Sequence, residues 1–287
     1  MTPLPDAVQQ FTRFYSSDLT DEQWTLIAGI IDPPSQSLAG RQPTIPRRMI
    51  VNAILYVVRE GCRWRSLPTQ YPTWSTVYWY FRQWLYAGVF YTAYTVLHTA
   101  FRLRAGREAQ PSLGILDSQS VKSTALAHDA VGYDAAKLVK GRKRHIVTDT
   151  LGYPFVLQIT GGNIQDYTAG VSMVEAATLA SPRLKKILCD GIYQALANTL
   201  KDAPIIIEVV KRPRDMKGFV VQPMRWVVER AFGWLGHYRR LARDYERRVD
   251  VSLAMITVAL LHLLVRRLAP AQPHWADKRR AAQAVAA

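Results

Sequence analysis

Two short stretches decide how this chain folds: LGILD (113–117) and KILCD (186–190). Each is an apolar run of strand length that ends in an aspartate. In an open α/β sheet, residues just past the carboxyl ends of central strands line the functional crevice, whereas a charge inside such a strand is buried at high cost. The pattern therefore predicts adjacent strands whose tips bring Asp117 and Asp190 together. Two converging carboxylates repel unless a divalent cation neutralises them. Either aspartate alone reads more simply as a turn or cap residue.

Working outward, RHIVTDT (144–150) and PFVLQIT (154–160) read as a hairpin turning at Leu151-Gly152, and IIIEVV (205–210) reads as a further strand. Residues 166–179 and 193–202 read as helices. The order strand, hairpin, helix, strand, helix, strand, helix describes a mixed α/β sheet with flanking helices. The first third is helical instead. Thr20 with Gln23 forms a capping box ahead of Trp24, Ile27 and Ile31, and Pro33-Pro34 stops the turn. A second helix begins near Pro46, carries Ile50, Ile54 and Val57 on one stripe and ends at Gly61. A third starts near Ser75 with Val77, Phe81 and Trp84, and more helix follows to Leu103. With the loop GCRWRSLPTQYP (61–72), these suggest an all-helical, helix-turn-helix-like module. The polar stretch 102–110 marks a boundary. The predicted organisation is a helical DNA-binding domain at 1–108, a catalytic α/β domain at 109–270 and a tail at 271–287.

Lys and Arg number 37 against 22 Asp and Glu, a formal charge of +15, which favours a polyanion and makes nucleic acid the leading partner. Cys62 and Cys189 are isolated, so neither a disulfide framework nor a zinc finger is expected, and a reducing cytoplasm fits. The N-terminus lacks the pattern of a secretory signal. Val251 to Val265 is apolar but short for a bilayer and reads as a buried helix, so no membrane association is expected.

A third acid is offered by Glu229 in RWVVERAFGWLGHYRR (225–240), where Arg225 and Glu229 share a helix face at i and i+4. A surface ion pair is the plain alternative. Basic residues outnumber acidic ones around this helix, and KLVKGRKRH (137–145) adds Lys140, Arg142, Lys143 and Arg144 beside the hairpin. Five of the eight tryptophans lie in the helical third, interleaved with Arg47, Arg48, Arg63, Arg65 and Arg82. The aromatics are expected in the core and the arginines against DNA phosphates.

These motifs carry a resemblance. DLTDEQW (18–24), GCRWRSLP (61–68), WSTVYWYFRQW (74–84), LDSQSVK (116–122), GYDAAKLVKGRKRHIVTDTLG (132–152), NIQDYTAG (163–170), CDGIYQ (189–194) and RWVVERAFGWLGHYRRLARDYE (225–246) closely resemble transposases of the bacterial insertion-sequence five family, in the wider DDE group. The resemblance spans nearly the whole chain. It implies an RNase H-like catalytic domain in which Asp117, Asp190 and Glu229 hold two Mg²⁺ ions about 4 Å apart, with Mn²⁺ as a substitute and no small-molecule cofactor. It also implies double-stranded DNA as substrate, at terminal inverted repeats and a target site, with a homodimer pairing two ends and nucleoid association when bound. Of the tyrosine, arginine, glutamate and lysine signature in the related group, Arg225 and Glu229 match, while Gln222 and Gly236 depart from it. DNA contact in that helix therefore rests on Arg225, with Arg239 and Arg240 as local candidates. The alternatives are another RNase H-like nuclease and a catalytically silent DNA-binding regulator of transposition. A zinc enzyme is the weakest reading, because the six histidines are scattered.

Overall fold

The computed structural model describes residues 12–33, 44–201, 203–210 and 224–271. The expected tail beyond residue 271, Pro34, Asp202, Gln222 and the basic residues between 211 and 223 lie outside them.

Thr20 opens α1 (Asp21–Ile31). Its hydroxyl accepts from the Gln23 N–H while the Gln23 side chain accepts from the Thr20 N–H, a reciprocal cap that satisfies two orphan donors. Helix α2 (Arg47–Glu60) ends at Gly61, whose φ of 72° is left-handed. A 3-10 turn at Trp64–Ser66 leads to α3 (Trp74–Tyr86) and α4 (Val89–Arg104). The stripes read from the sequence are buried: Ile27 and Ile31, then Ile50, Ile54 and Val57, then Val77, Phe81 and Trp84. Each such side chain contributes about 1.5–3 kcal/mol of burial free energy. Trp74 and Trp79, expected in the core, are exposed.

The surface these helices cover is the last one, α8 (Val249–Leu268), which contains the apolar run. By length and composition α8 could cross a membrane, but 72% of its most apolar window is buried inside the protein, as in a core helix. Gln23 Nε2 donates to Ala269 O at 2.8 Å and ties the chain's first helix to its last. A single hydrophobic core runs from the N-terminal helices through α8 to Ile115 and Ile146 of the sheet.

The sheet contains β1 (Leu113–Lys122), β2 (Gly132–Asp134), β3 (Val139–Thr148), β4 (Pro154–Gly161), β5 (Lys186–Cys189) and β6 (Ile206–Val209). Its order is β4-β3-β1-β5-β6, and the short β2 pairs with the start of β3. β3 is antiparallel to β1 and β4, whereas β5 and β6 run parallel to β1. Helix α5 (Asp166–Ala180) and the short α6 (Gln194–Thr199) cover one face over a second apolar cluster that includes Leu116, Val147, Met173 and Ile187. Helix α7 (Arg225–Gly236) and α8 cover the other.

Three expectations are corrected. Asp117 does not lie past the end of its strand. β1 continues five residues beyond it, because β3 pairs with β1 as far as Lys122. The hairpin strand expected from Arg144 begins earlier, at Val139, and draws Arg142, Lys143 and Arg144 of the basic run into the middle of the sheet. Strand β2 has no counterpart in the sequence reading, since three residues carry no periodicity.

Candidate active site

Parallel pairing between β1 and β5 registers Ile115 with Leu188 and goes no further along β1. From there β5 ends at Cys189, so Asp190 turns away while β1 carries on alone on that side. Asp117 is left at the mouth of the gap. The Asp190 carboxylate accepts from the Ile192 N–H at 3.0 Å, which starts a 3-10 turn, and Asp117 Oδ1 accepts from the Ser118 N–H at 2.8 Å. Strand alternation puts Asp117 on the face of Ile115, the face α7 covers.

Helix α7 brings the remaining charges. It buries Val227, Val228, Ala231, Phe232 and Leu235, which leaves Arg225 and Glu229 toward the gap. Arg225 Nη2 lies 3.8 Å from Asp190 Oδ2 and also 3.8 Å from Glu229 Oε1. One guanidinium nitrogen thus links the strand acid to the helix acid. Burial pushes the Asp117 carboxyl up to about 6; the Ser118 N–H opposes this, and the charges of Asp190 and Glu229 add to it against Arg225. All three acids therefore share one electrostatic environment. Asp190 and Glu229 flank Arg225, Asp117 lies within reach of its charge, and the three acids do not form a closed cage: among the described residues, no three His, Cys, Asp or Glu side chains are grouped to hold one ion. The donor set is oxygen only, which suits a hard divalent cation.

The basic residues divide by burial. Arg142 is fully buried; it donates to Asp244 Oδ1 at 3.0 Å and to the backbone oxygens of Asp129, Glu246 and Arg247. Arg144 is 2% exposed, and desolvation lowers its pKa to about 10. Lys143 donates to Ile164 O at 3.0 Å and lies between Asp134 and Asp166. Arg48 is buried against Asp21 and Leu19 O. The expectation of DNA contact is corrected for these four, because a side chain shielded from solvent cannot meet a phosphate, and Arg142, Lys143 and Arg48 are also spent on internal partners. Lys140, Arg63, Arg65 and Arg239 are exposed, and Arg82, Arg225 and Arg240 are half-buried. Arg47 is braced over the Tyr80 ring at 4.3 Å.

A polar network behind Asp117 escaped the residue-level reading. Ser118 Oγ donates to Asp166 Oδ1 at 2.8 Å, Lys143 lies 3.4 Å from the same oxygen, and Ser120 Oγ donates to Asp134 Oδ2 at 2.5 Å. The motifs GYDAAK and NIQDYTAG contained Asp134 and Asp166, but neither spacing nor periodicity singled them out.

Comparison with known proteins bears on this arrangement. Residues 19–93 match the family described as "Putative transposase of IS4/5 family", and residues 108–264 match the "Transposase DDE domain" family. The chain is 35% identical over 127 residues to the "Putative transposase for insertion sequence element IS402" of Burkholderia cepacia, covering 40% of this chain and 59% of that protein. It is 33% identical over 110 residues to the "Insertion element IS402 uncharacterized 16.2 kDa protein" of the same organism, covering 37% and 73%. The chain thus spans less than two thirds of the first of these relatives. A cryo-EM structure of a piggyBac transposase synaptic complex with hairpin DNA overlaps 84% of this chain and 70% of that one at 12% identity, with a TM-score of 0.37, a likeness too slight to carry weight here. Since the DDE-domain match alone takes in more than half of the residues, the chain belongs to the DDE transposases of the IS4/IS5 type.

Proposed function

We propose that this chain cuts DNA at the ends of an insertion sequence and joins the freed ends to a target. The observation that carries the reading is that Asp190 and Glu229 flank Arg225 beside the partly buried Asp117, whose carboxyl feels the charge of all three. The strand order β4-β3-β1-β5-β6, with β3 antiparallel to its neighbours, supports an RNase H-like description of the catalytic part. Asp117, Asp190 and Glu229 would hold Mg²⁺, or Mn²⁺ in its place. When bound, such an ion polarises the phosphoryl group and steadies the leaving oxygen.

The protein's own part is placement. β1 and β5 fix two carboxylates by backbone register, α7 supplies the third, and Arg225 offsets their repulsion. In the first step water adds to the phosphorus at the element end and the bond to the 3′ oxygen breaks, leaving a 3′-hydroxyl and a 5′-phosphate. In the second that hydroxyl adds to a target phosphorus and displaces another 3′ oxygen. No covalent protein intermediate is needed. Helices α1 to α4 are assigned to end recognition, a homodimer to the pairing of two ends, and the cytoplasmic nucleoid to the place of action.

The test is strand cleavage of DNA carrying the flanking repeats, with Mg²⁺ present. Asp117→Asn and Asp190→Asn abolish cleavage and leave DNA binding largely intact; cleavage at the parent rate in either variant would overturn the assignment.

A further inference from the structure

We infer that a cleft built jointly by the helical third and the segment leading into α8 is the track for a duplex DNA backbone, separate from the three acids. The inference rests on the transposase reading for its substrate. The cleft has a volume of about 1200 Å³ and is lined from one side by Arg63, Arg65 and Arg82 and from the other by Arg240, Arg247 and Arg248. These groups are about 180 residues apart in sequence, and only folding makes them one surface. The sole carboxylate in the lining, Glu246, is committed to Arg240 at 2.7 Å. Arg248 is tied to Asp250, whose charge Arg82 also feels, while Arg63, Arg65 and Arg247 have no carboxylate within ion-pair distance among the described residues. A concave surface with that imbalance focuses a field suited to phosphates.

The aromatic rings of the cleft indicate which nucleic acid fits. Arg65 lies over Trp74 at 5.1 Å and Arg240 over Tyr245 at 5.5 Å. The Trp74 ring thus braces the exposed Arg65 guanidinium, which holds its fork toward solvent at little entropic cost, whereas Arg240 is held inward by Glu246 and Cys62 O. A single-strand groove instead keeps its ring faces open for bases. The cleft therefore reads phosphates of a duplex.

Its place relative to the acids follows from two routes. From Asp117, β1 runs five residues to Lys122 and two more reach Thr124 in the cleft wall, at up to about 3.3 Å each. From Glu229, α7 runs seven residues to Gly236 at about 1.5 Å each, and four more beyond the helix reach Arg240. Both chain paths are short, so the cleft lies within about 25 Å of the acids, or at most roughly seven base pairs at 3.4 Å per step.

The experiment is equilibrium binding of the full chain to a random-sequence duplex of about 30 base pairs, and to a single strand of the same length, across a salt series. Arg63→Ala, Arg65→Ala and Arg247→Ala are each expected to weaken duplex binding several-fold and to reduce the slope of log K against log salt by about one. Each Arg→Lys variant should recover most of that slope. Thermal unfolding checks that these exposed substitutions leave the fold intact. Iron-EDTA tethered at Arg247→Cys should cut repeat-bearing DNA within roughly seven base pairs of the scissile phosphate. Unchanged slopes, or a preference for the single strand that these variants remove, would overturn the cleft. Cleavage of repeat-bearing DNA by the parent protein judges the transposase reading separately, so a cleaving protein with unchanged slopes condemns the cleft alone.

Discussion

Asp117 on β1 and Asp190 just past the end of the parallel β5 each lie two residues beyond the paired Ile115 and Leu188. Backbone register alone therefore brings two carboxylates together, with Glu229 adding a third charge from α7. Without a bound cation that arrangement destabilises the fold.

In EDTA, Asp117→Asn should be more stable than the parent at pH 7.5. The Asp117 carboxyl, at about 6, lies above its ordinary 3.8, so the folded state holds the proton more tightly than the unfolded chain. The penalty is absent below pH 4, grows as pH rises through 6 and then stays constant. Urea unfolding should show a gain on the order of 1–3 kcal/mol at pH 7.5 that vanishes near pH 4. A variant less stable than the parent at pH 7.5 would contradict this electrostatic picture.

Arg142→Lys should lower stability by about 3–5 kcal/mol, because a lysine leaves Asp244 and three backbone oxygens poorly matched in a buried site. For the protein that remains folded, the salt slope of DNA binding should equal the parent's. A reduced slope with little loss of stability would restore this residue to the DNA surface.

Asp149 joins the helical third to the sheet. One carboxylate oxygen meets His98 Nε2 at 3.0 Å and also Arg102, and the other accepts the Leu151 and Tyr153 N–H groups. The side chain is fully buried. Asp149→Ala should cost about 3–5 kcal/mol by leaving Arg102 unpaired. Chemical denaturation measures it, and a loss below about 1 kcal/mol would show that the docking of α4 depends on apolar contacts alone.

Acid should destabilise the protein through its buried histidines. Burial lowers His145 to about 4 and His262 to about 3, against an ordinary 6.5. The folded chain refuses protons that the unfolded chain accepts, so this stability is present above pH 6.5 and is lost as pH falls toward 4. Each histidine contributes a slope of about 1.4 kcal/mol per pH unit in that window. His145→Gln, whose amide can still meet Thr160, should remove one such slope; an unaltered pH dependence would mean that His145 is already protonated when folded.

The sequence by itself determined the mixed α/β class and the helical stripes and singled out Asp117 and Asp190 as candidates, because strand-length apolar runs, 3.6-residue periodicity and an acid after each run are local signals. It could not tell which basic residues face water. Arg142 and Arg63 look alike along the chain, yet one is buried against Asp244, 102 positions later, and the other lines a cleft opposite Arg247. Burial of a charge is decided by partners distant in sequence, since only a matched counter-charge and hydrogen bonds offset its desolvation. The gap beside Asp117 has the same origin: it opens because β5 ends where β1, held by β3, continues.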